Sequence, residues 1–237
     1  MSGDVIGAHP VVRLPVRGGG TFPVHRVYCV GRNFADHARE MGAAVAASKA
    51  ERGTPVFFLK PTDALTLAHD VPYPPGTTDL HHEVELVVAL GSDAPAGVLD
   101  PDAAHALVYG YGVGLDLTRR DLQAHAKAKG LPWDTGKAFD DAAPVSELVP
   151  VAQAGDLGAR GLALTVNGQV RQQGRFTDLV WSVGEILHEL SKLYRLRAGD
   201  IVFMGTPAGV AALQPGDVFE ASLDGIATRA GRIVAAT

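Results

Sequence analysis

Apolar positions along the chain fall mainly into short runs that are separated by glycine, proline and polar residues. Runs of this length, bounded by turn residues, are typical of strands. Asn167-Gly168, inside ALTVNGQVRQQ, is a two-residue signal for a tight hairpin. The pattern predicts strands at residues 11–16, 26–31, 55–60, 83–90 and 107–116, at DIVFMG, and in the turn-rich stretch 213–234.

Helical periodicity occurs in only a few segments. One begins after Asn33, a candidate N-cap with Asp36 three residues on; a second follows Thr118, with Gly130 just beyond its end; a third covers 179–193. The strands therefore outnumber the helices and do not alternate with them as βαβ units. This balance predicts a β-rich α+β fold.

Composition limits the class of protein. A chain of 237 residues with 46% hydrophobic and 20% charged residues suits a globular protein, and a net charge of −5 is too mild to suggest a nucleic-acid partner. The sequence contains no run of 18 apolar residues, which a membrane span would need, and no signal peptide is evident. We therefore expect a cytoplasmic protein. The one cysteine, Cys29, lies in an apolar run and is interpreted as a core residue rather than a nucleophile.

Two carboxylates open an otherwise apolar strand in LHHEVELVVALG. Glu83 and Glu85 are two residues apart, so a strand points both to one face, and His81 joins them there. Carboxylates that enter a core need a compensating cation or partner. One such cation could be Zn²⁺ bound through His81 or His82. This reading is weaker than binding of the cation by carboxylates, because no His/Cys spacing typical of zinc sites is present.

The strand VYGYGVGLD carries glycines on one face. Gly110, Gly112 and Gly114 leave space for a large neighbour, and Asp116 stands at the end of this strip. Asp116 with Glu83 and Glu85 would form an all-oxygen cluster suited to Mg²⁺, Mn²⁺ or Ca²⁺. The alternative is three strand-end carboxylates that are solvated or paired with Arg119, Arg120 or Lys137.

Two further segments offer chemistry. His37 and Glu40 in DHARE are three residues apart on one helical face, where a carboxylate could orient an imidazole as a general base. The alternative is a solvated helix face with ordinary ion pairs. MGTPAG could present backbone N–H groups and the Thr206 hydroxyl to a carboxylate, or could form an ordinary β-turn.

Taken together and in order, several segments resemble the fumarylacetoacetate hydrolase family. They are YCVGRNFADHAREMG, FFLKPTDAL, LHHEVELVVALG, YGVGLDLTRRDLQ, KGLPWDTGKAFD, VNGQVRQQG and GDIVFMGTPAGV, and they span about residues 26–210. The segment YGVGLDLTRRDLQ is most similar to bacterial fumarylpyruvate hydrolases and related acylpyruvases. Phe34 and Met204 depart from the family pattern, in which tyrosine and threonine are common at these positions.

The resemblance implies a single catalytic domain over 1–237, with mixed strands rolled around a metal site and usually a homodimer. It divides off an N-terminal strand segment, 1–25, and a helical lid with its loop, 33–53, which we expect to become ordered over a bound 2-keto acid. It also implies residue roles: Mg²⁺ or Mn²⁺ held by Glu83, Glu85 and Asp116; catalysis by His37, Glu40 and Lys137; and substrate contacts from Arg32, Lys60, Arg120, Gln123 and Thr206.

The implied activity is metal-dependent hydrolysis of a C–C bond in a 2,4-diketo acid, with fumarylpyruvate, an intermediate of aromatic catabolism, as the first expectation. An acylpyruvase or an oxaloacetate decarboxylase is an alternative, because both stabilise a related enolate. A catalytically idle metal-binding scaffold is an alternative of another class. Retention of both the carboxylate cluster and the His37/Glu40 pair argues against an idle scaffold.

Overall fold

The computed structural model describes residues 3, 5–40 and 51–235, which form strands with a few short helices. The strands are β1 Arg13–Pro15, β2 Thr21–Pro23, β3 Val27–Gly31, β4 Val56–Lys60, β5 Leu65–Thr66, β6 Asp70–Pro72, β7 Leu80–His82, β8 Val84–Leu90, β9 Val108–Leu115, β10 Thr118–Arg119, β11 Ala143–Pro144, β12 Val149–Pro150, β13 Gly161–Val166, β14 Gln169–Arg175, β15 Ile201–Phe203, β16 Ala211–Ala212, β17 Val218–Leu223 and β18 Ala227–Val234. The helices are α1 Ala35–Glu40, α2 Pro101–His105, α3 Arg120–Lys129, α4 Asp134–Lys137, α5 Val151–Ala154 and α6 Val183–Ser191. The expected β-rich α+β class is confirmed.

A six-stranded mixed sheet forms the centre of the fold, in the order β12-β9-β8-β15-β3-β4. Every residue of β8 is buried, which explains why its sequence is an almost continuous apolar run rather than an alternating one. β8 pairs with β9 in antiparallel register, with Val84 opposite Leu115 and Glu85 opposite Gly114. This register brings the start of β8 beside the end of β9.

A second sheet of five strands, β14-β13-β17-β18-β6, packs against the first through β13, β17 and β18 on β8 and β9. The two sheets enclose the core. The hairpin predicted at Asn167-Gly168 joins β13 to β14, and both of its turn residues have positive φ, 52° and 75°. A positive φ at both turn positions is what a tight hairpin turn of this kind requires.

The glycine face of β9 is covered by the chain itself. A Cβ on Gly110 would lie 2.4 Å from the carbonyl oxygen of Val149, and one on Gly114 would lie 2.9 Å from both the carbonyl oxygen of Pro144 and the Phe203 ring. The large neighbour inferred from the glycines is therefore the segment 144–150 together with Phe203. These glycines let backbone approach backbone and do not clear space for a ligand.

Two predicted helix caps are wrong. The Asn33 side chain does not cap α1: its amide donates to the carbonyls of Trp181 and Met204 and its oxygen accepts from the Trp181 N–H. Thr118 lies in β10 and turns its hydroxyl to the site described below, while α3 begins two residues later. Gly130 does end α3 in the left-handed conformation, as predicted.

Several expectations concern the ends of the chain and the predicted lid. Cys29 is buried in β3, as expected for a core residue. The N-terminal segment contributes a small hairpin of β1 and β2. Within 33–53, the structure describes α1 and residues 51–53, and residues 41–50 of the predicted lid lie outside the described residues. Among the described helices, none is both long and apolar enough to cross a bilayer.

Candidate active site

Three carboxylates converge where β8 begins and β9 ends. Glu83 lies between β7 and β8, and its carbonyl accepts a 2.8 Å hydrogen bond from the Asp116 N–H, which sets the two residues side by side. Glu85 follows two residues later, within β8. One oxygen from each of Glu83, Glu85 and Asp116 lies within 4.8 Å of the others, and all three residues are buried.

Cations surround this cluster unevenly. Lys137, the last residue of α4, places Nζ 2.9 Å from Glu83 Oε2, 2.6 Å from Asp116 Oδ2 and 2.7 Å from the Thr118 hydroxyl. Arg120 pairs with the other oxygen of Glu83, and Lys60 lies 2.8 Å from Asp116 Oδ1. Glu85 has no cation at contact distance among the described residues, and its Oε2 accepts a 2.7 Å hydrogen bond from the Gly205 N–H.

This uneven distribution of cations shifts the pKa values of Glu83 and Glu85 in opposite directions. Burial alone would raise the pKa of Glu83, but Lys137 and Arg120 outweigh it and hold that pKa far below its usual range. For Glu85, burial and the neighbouring charges of Asp116 and Glu83 all raise the pKa well above the ordinary value. The site therefore carries more negative charge around Glu85 than its own donors balance.

The donor set fits a hard divalent cation. It consists only of carboxylate oxygens, the ligands that Mg²⁺ and Mn²⁺ prefer. Asp116 Oδ1 is buried and accepts no well-aligned hydrogen bond, although Lys60 lies close to it. A buried carboxylate whose charge is disfavoured, with two others converging on it, would be stabilised by a divalent cation.

His37 lies in the same cleft as the carboxylates and is itself buried. Its Nδ1 is 3.4 Å from Glu40 Oε2, and the Glu40 carboxylate accepts 3.2 Å hydrogen bonds from the Gly209 N–H. Burial lowers the pKa of His37 below its ordinary value, partly opposed by the charges of Glu83 and Glu40. The imidazole is therefore neutral near pH 7. Because Nδ1 faces Glu40, Nε2 is the nitrogen that can accept a proton.

The MGTPAG loop presents backbone N–H groups to carboxylates, as one of the two sequence interpretations expected. Those carboxylates belong to the protein: the Gly205 N–H binds Glu85 and the Gly209 N–H binds Glu40. The loop thus links the acidic cluster to the residue that contacts His37. Between these two contacts, the Thr206 side chain lines the cleft.

Gln172 fixes this loop against β8 and was missed by the sequence reasoning. Its side-chain oxygen contacts His82 Nδ1 at 2.9 Å and accepts from the Val84 N–H at 3.0 Å. Its amide group donates to the Thr206 hydroxyl and the Pro207 carbonyl, both at 2.8 Å. No sequence pattern marks it, and in the structure it is the single buried residue of β14.

The cleft encloses about 30 Å³ that the centre of a water molecule can reach, within about 420 Å³ of non-atom space that includes open solvent. Sequence-predicted residues form most of its wall: Arg32, His37, Glu83, Glu85, Asp116, Arg120, Gln123, Lys137 and Thr206. Glu40 and Lys60 lie behind the wall, in contact with His37 and Asp116 respectively. Phe58, Trp133 and Lys127 also line the cleft. Lys127 could have been found from helical spacing, because it follows Arg120 and Gln123 by seven and four residues.

The histidines before Glu83 do not join the carboxylates. His81 Nε2 contacts Asp79 at 2.8 Å, and the His82 ring faces Gln172. The expectation that His81 shares the face of Glu83 and Glu85 is wrong because the chain turns at Glu83: β7 belongs to a separate three-stranded sheet with β10 and β16. The zinc alternative loses its support for the same reason. Arg119 also points elsewhere, over the Phe139 ring.

The fold and the cleft define a β-rich α+β protein with a buried carboxylate cluster beside a histidine. The chain belongs to the fumarylacetoacetate hydrolase family: the family model "Fumarylacetoacetate (FAA) hydrolase C-terminal" matches residues 26–234. The resemblance inferred from the sequence segments is thereby confirmed.

Three relatives illustrate how the family compares. Oxaloacetate tautomerase YcgM from Escherichia coli (strain K12) is 41% identical over 206 residues, which are 86% of this chain and 90% of that protein. Fumarylpyruvate hydrolase from Ralstonia sp is 43% identical over 171 residues, 72% of this chain and 88% of that protein. The crystal structure of fumarylpyruvate hydrolase from Pseudomonas aeruginosa with Mn²⁺ and pyruvate has a TM-score of 0.91 and 41% identity, covering 98% of this chain and all of that one.

Proposed function

We propose that the protein hydrolyses the C–C bond of a 2,4-diketo acid, with fumarylpyruvate as its main substrate. The observation that carries the proposal is the arrangement of the cleft: a neutral, carboxylate-oriented His37 shares one cavity with three converging carboxylates. Similarity to two fumarylpyruvate hydrolases, one of them crystallised with Mn²⁺ and pyruvate, supports this choice.

Glu83, Glu85 and Asp116 would hold the divalent ion, Mg²⁺ or Mn²⁺. When bound, the ion supplies Lewis-acid polarisation of the 2-keto acid and stabilises negative charge on its enolate. Lys137 would remain close, because it is already held by Thr118, and would donate a hydrogen bond to the developing oxyanion. Lys60 and Arg120 act from their present positions by fixing Asp116 and Glu83.

His37 would act as the general base. Its Nδ1 faces Glu40, so Nε2 is the nitrogen that removes a proton from water. The hydroxide adds to the distal ketone carbon, and the bond between that carbon and the central methylene then breaks. Its electron pair becomes the enolate of pyruvate, while the acyl part leaves as a carboxylic acid that ionises. The proton held by His37 returns to the methylene carbon and completes pyruvate.

Oxaloacetate tautomerisation is the second candidate, because a relative with that activity is as similar to this chain as the hydrolases are. It needs no water: a proton leaves the enol oxygen and another is delivered to the neighbouring carbon. His37, whose pKa is lowered by burial, is one group in the cleft able to move it. Oxaloacetate decarboxylation would use the same enolate-stabilising charges. A cytoplasmic homodimer active in aromatic catabolism stays a prediction.

A substrate panel with added Mg²⁺ or Mn²⁺ tests the proposal. It contains fumarylpyruvate, maleylpyruvate, acetylpyruvate and oxaloacetate, the last followed for both tautomerisation and loss of CO₂. We expect kcat/KM for fumarylpyruvate to exceed that for acetylpyruvate by about 100-fold. Chelator should abolish turnover. Turnover of oxaloacetate alone would replace hydrolysis by one of the alternatives, and no turnover with any metal would favour an idle scaffold.

A further inference from the structure

One face of α3 forms part of the cleft wall. Arg120, Gln123 and Lys127 are spaced by three and four residues, so their side chains lie in one row along the helix. All three line the cleft, and Arg32 lines it as well. The row begins at the carboxylate cluster, where Arg120 pairs with Glu83, and leads away from it toward Lys127.

The cations of the cleft fall into two groups. Lys137 and Arg120 are paired with carboxylates of the cluster, and Lys60 behind the wall is paired with Asp116. Arg32 and Lys127 have no side-chain hydrogen-bond or ion-pair partner in the part of the chain that the structure describes. Burial lowers the pKa of Lys127, and the nearby positive charges of Arg32 and Arg120 lower it further. An anion placed between Arg32 and Lys127 would relieve this repulsion.

The backbone holds Arg32 in a special conformation. Arg32 has a φ of 60°, which is uncommon for a residue with a side chain. The next residue, Asn33, is buried and makes three hydrogen bonds to Trp181 and Met204, so the turn after β3 is fixed from outside. A fixed, strained turn that carries an unpaired arginine into a cleft is typical of a binding position.

We propose that Lys127 and Arg32 form a subsite for the second carboxylate of a long dicarboxylic 2-keto acid. The inference rests on the proposed function for one point, that the 2-keto acid end of the ligand lies at the carboxylate cluster. It assigns to Lys127 a role in choosing the substrate. Under this proposal, Lys60 and Arg120 do not bind the distal carboxylate directly, because Lys60 is paired with Asp116 and Arg120 with Glu83.

The distance between Arg120 and Lys127 along α3 sets the length of dicarboxylic acid that the subsite can bind. Lys127 lies two turns beyond Arg120, about 10 Å along the helix axis, and helical side chains lean back toward the N-terminus. The ammonium can therefore meet a carboxylate somewhat less than 10 Å from the cluster. The end carbons of an extended seven-carbon dicarboxylate are about 7–8 Å apart, against about 4 Å in oxaloacetate. The subsite therefore favours the seven-carbon acid.

Kinetics of the metal-loaded enzyme test the role of Lys127. Lys127→Met keeps most of the length of the side chain and removes its charge, and Lys129→Met makes the same change on an exposed position of the same helix. We expect Lys127→Met to lower the ratio of kcat/KM for fumarylpyruvate to that for acetylpyruvate by about tenfold, mainly through KM. Added salt should lower this ratio in the wild-type enzyme, because salt screens the attraction between Lys127 and the distal carboxylate. An unchanged ratio in Lys127→Met, or an equal fall in Lys129→Met, would overturn the assignment.

Ligand binding separates this inference from the proposed reaction. The probes are 2-oxoheptanedioate and 2-oxoheptanoate, which share the 2-keto acid end and the chain length and differ only in the distal carboxylate. In calorimetry on the Mn²⁺-loaded protein, the dicarboxylate should bind about tenfold more tightly, and Lys127→Met or Arg32→Met should remove most of that difference. This result would support the subsite even if no diketo acid is cleaved. Equal affinity of the two probes for the wild-type protein would refute it.

Discussion

Two buried acidic sites lie in the central sheet, and only one of them has the character of an active site. Asp116 follows β9 and Asp200 precedes β15, and both side chains are excluded from solvent. Each has basic partners at hydrogen-bond distance. Burial and ion pairing are therefore common to both, and the difference lies in what else converges on each carboxylate.

Asp200 is one carboxylate among several donors. Arg26 binds both of its oxygens, at 3.0 and 2.7 Å, His25 Nδ1 lies 2.9 Å away, and the Arg197 N–H donates at 2.8 Å. Arg26 and Asp200 immediately precede the paired strands β3 and β15, so the cluster fastens the starts of these strands. Every strong acceptor site of Asp200 is used within the protein, and this satisfied cluster is structural.

Asp116 instead shares its surroundings with Glu83 and Glu85. Lys137, Lys60 and Arg120 pair with Glu83 and Asp116, whereas no cation of the described residues contacts Glu85, whose pKa is raised well above the ordinary value. The comparison teaches that a buried carboxylate is not by itself a functional signal. Convergence of several carboxylates beyond what local donors satisfy is the informative feature.

The largest expected effect comes from Glu85→Gln. We expect Mn²⁺ affinity to fall at least about 100-fold and turnover about 1,000-fold, because a charged ligand is lost. The fold should survive without loss of thermal stability in the metal-free protein, because burial and two neighbouring carboxylates already disfavour the charge of Glu85. Calorimetric titration with Mn²⁺ and thermal melting measure both. Unchanged Mn²⁺ affinity would remove Glu85 from the proposed metal site.

Asp200→Asn should do the reverse. It leaves Arg26 and His25 short of a charged partner, so we expect the free energy of unfolding to fall by about 2–3 kcal/mol. Mn²⁺ affinity should stay within about twofold of wild type, since Asp200 contacts no residue of the acidic cluster. Urea unfolding and Mn²⁺ titration test the pair of claims. Asp93→Asn, at an exposed carboxylate paired with Arg197, is the control and should change stability little.

Gln172 offers a test of intermediate size, because it joins the acidic cluster's strand to the loop at the cleft. Its amide donates to the Thr206 hydroxyl, which leaves the hydroxyl proton free to donate into the cleft toward a carboxylate. We expect Gln172→Met to raise KM for the 2-keto acid about tenfold, and Thr206→Val to do the same. Gln173→Met, at the exposed neighbouring position, is the control.

The double variant of Gln172 and Thr206 decides whether the two act together. If Gln172 positions Thr206, the double variant should lose little more than either single variant in kcat/KM. Multiplied losses would mean that Gln172 supports the fold independently of Thr206. Melting temperatures recorded in parallel separate loss of stability from loss of substrate binding.

Much of this architecture follows from local sequence. The strands of β3, β4, β8 and β9 and the hairpin at Asn167-Gly168 were predictable, because apolar runs and turn residues encode them directly. Strand periodicity predicted that Glu83 and Glu85 are close, and they are, although Glu83 itself lies just before β8. The addition of Asp116 depends on the β8–β9 register, which the sequence suggested only through the position of Asp116 after the glycine strip.

The errors share a physical cause. Asn33 and Thr118 look like helix caps in sequence, yet their side chains bind distant groups, Trp181 and Lys137. His81 was placed by extending a strand through Glu83, where the chain in fact passes from one sheet to another. Gln172 was missed because its partners come from β7, β8 and the loop after β15. Long-range hydrogen bonds override local preference at these positions, and local preference is what sequence patterns record.

The smallest effect concerns the pH at which His37 gains its proton. Burial lowers the pKa of His37, while Glu83 and Glu40 raise it and Arg120 lowers it. A base must be neutral to act, so kcat/KM should hold as pH falls to about 6.5, the ordinary histidine value, and decline only below it. Glu40→Gln removes one charge that favours the imidazolium, so the decline should move to still lower pH, by about half a pH unit.

The pH profile of Glu40→Gln is best measured with Mn²⁺ saturating at every pH, so that loss of metal does not imitate protonation of His37. Asp36→Asn is the matched control: it removes a carboxylate from the same helix that pairs with Arg39 and not with His37. A decline that moves to higher pH in Glu40→Gln, or that moves equally in Asp36→Asn, would contradict the pairing of Glu40 with His37. If the expected shift occurs only in Glu40→Gln, protonation of His37 causes the fall of kcat/KM at low pH, the acidic limb of the pH profile. This result would also distinguish His37, a base tuned by one specific neighbour, from His25, which contacts Asp200 in the structural cluster and whose replacement should leave that limb unchanged.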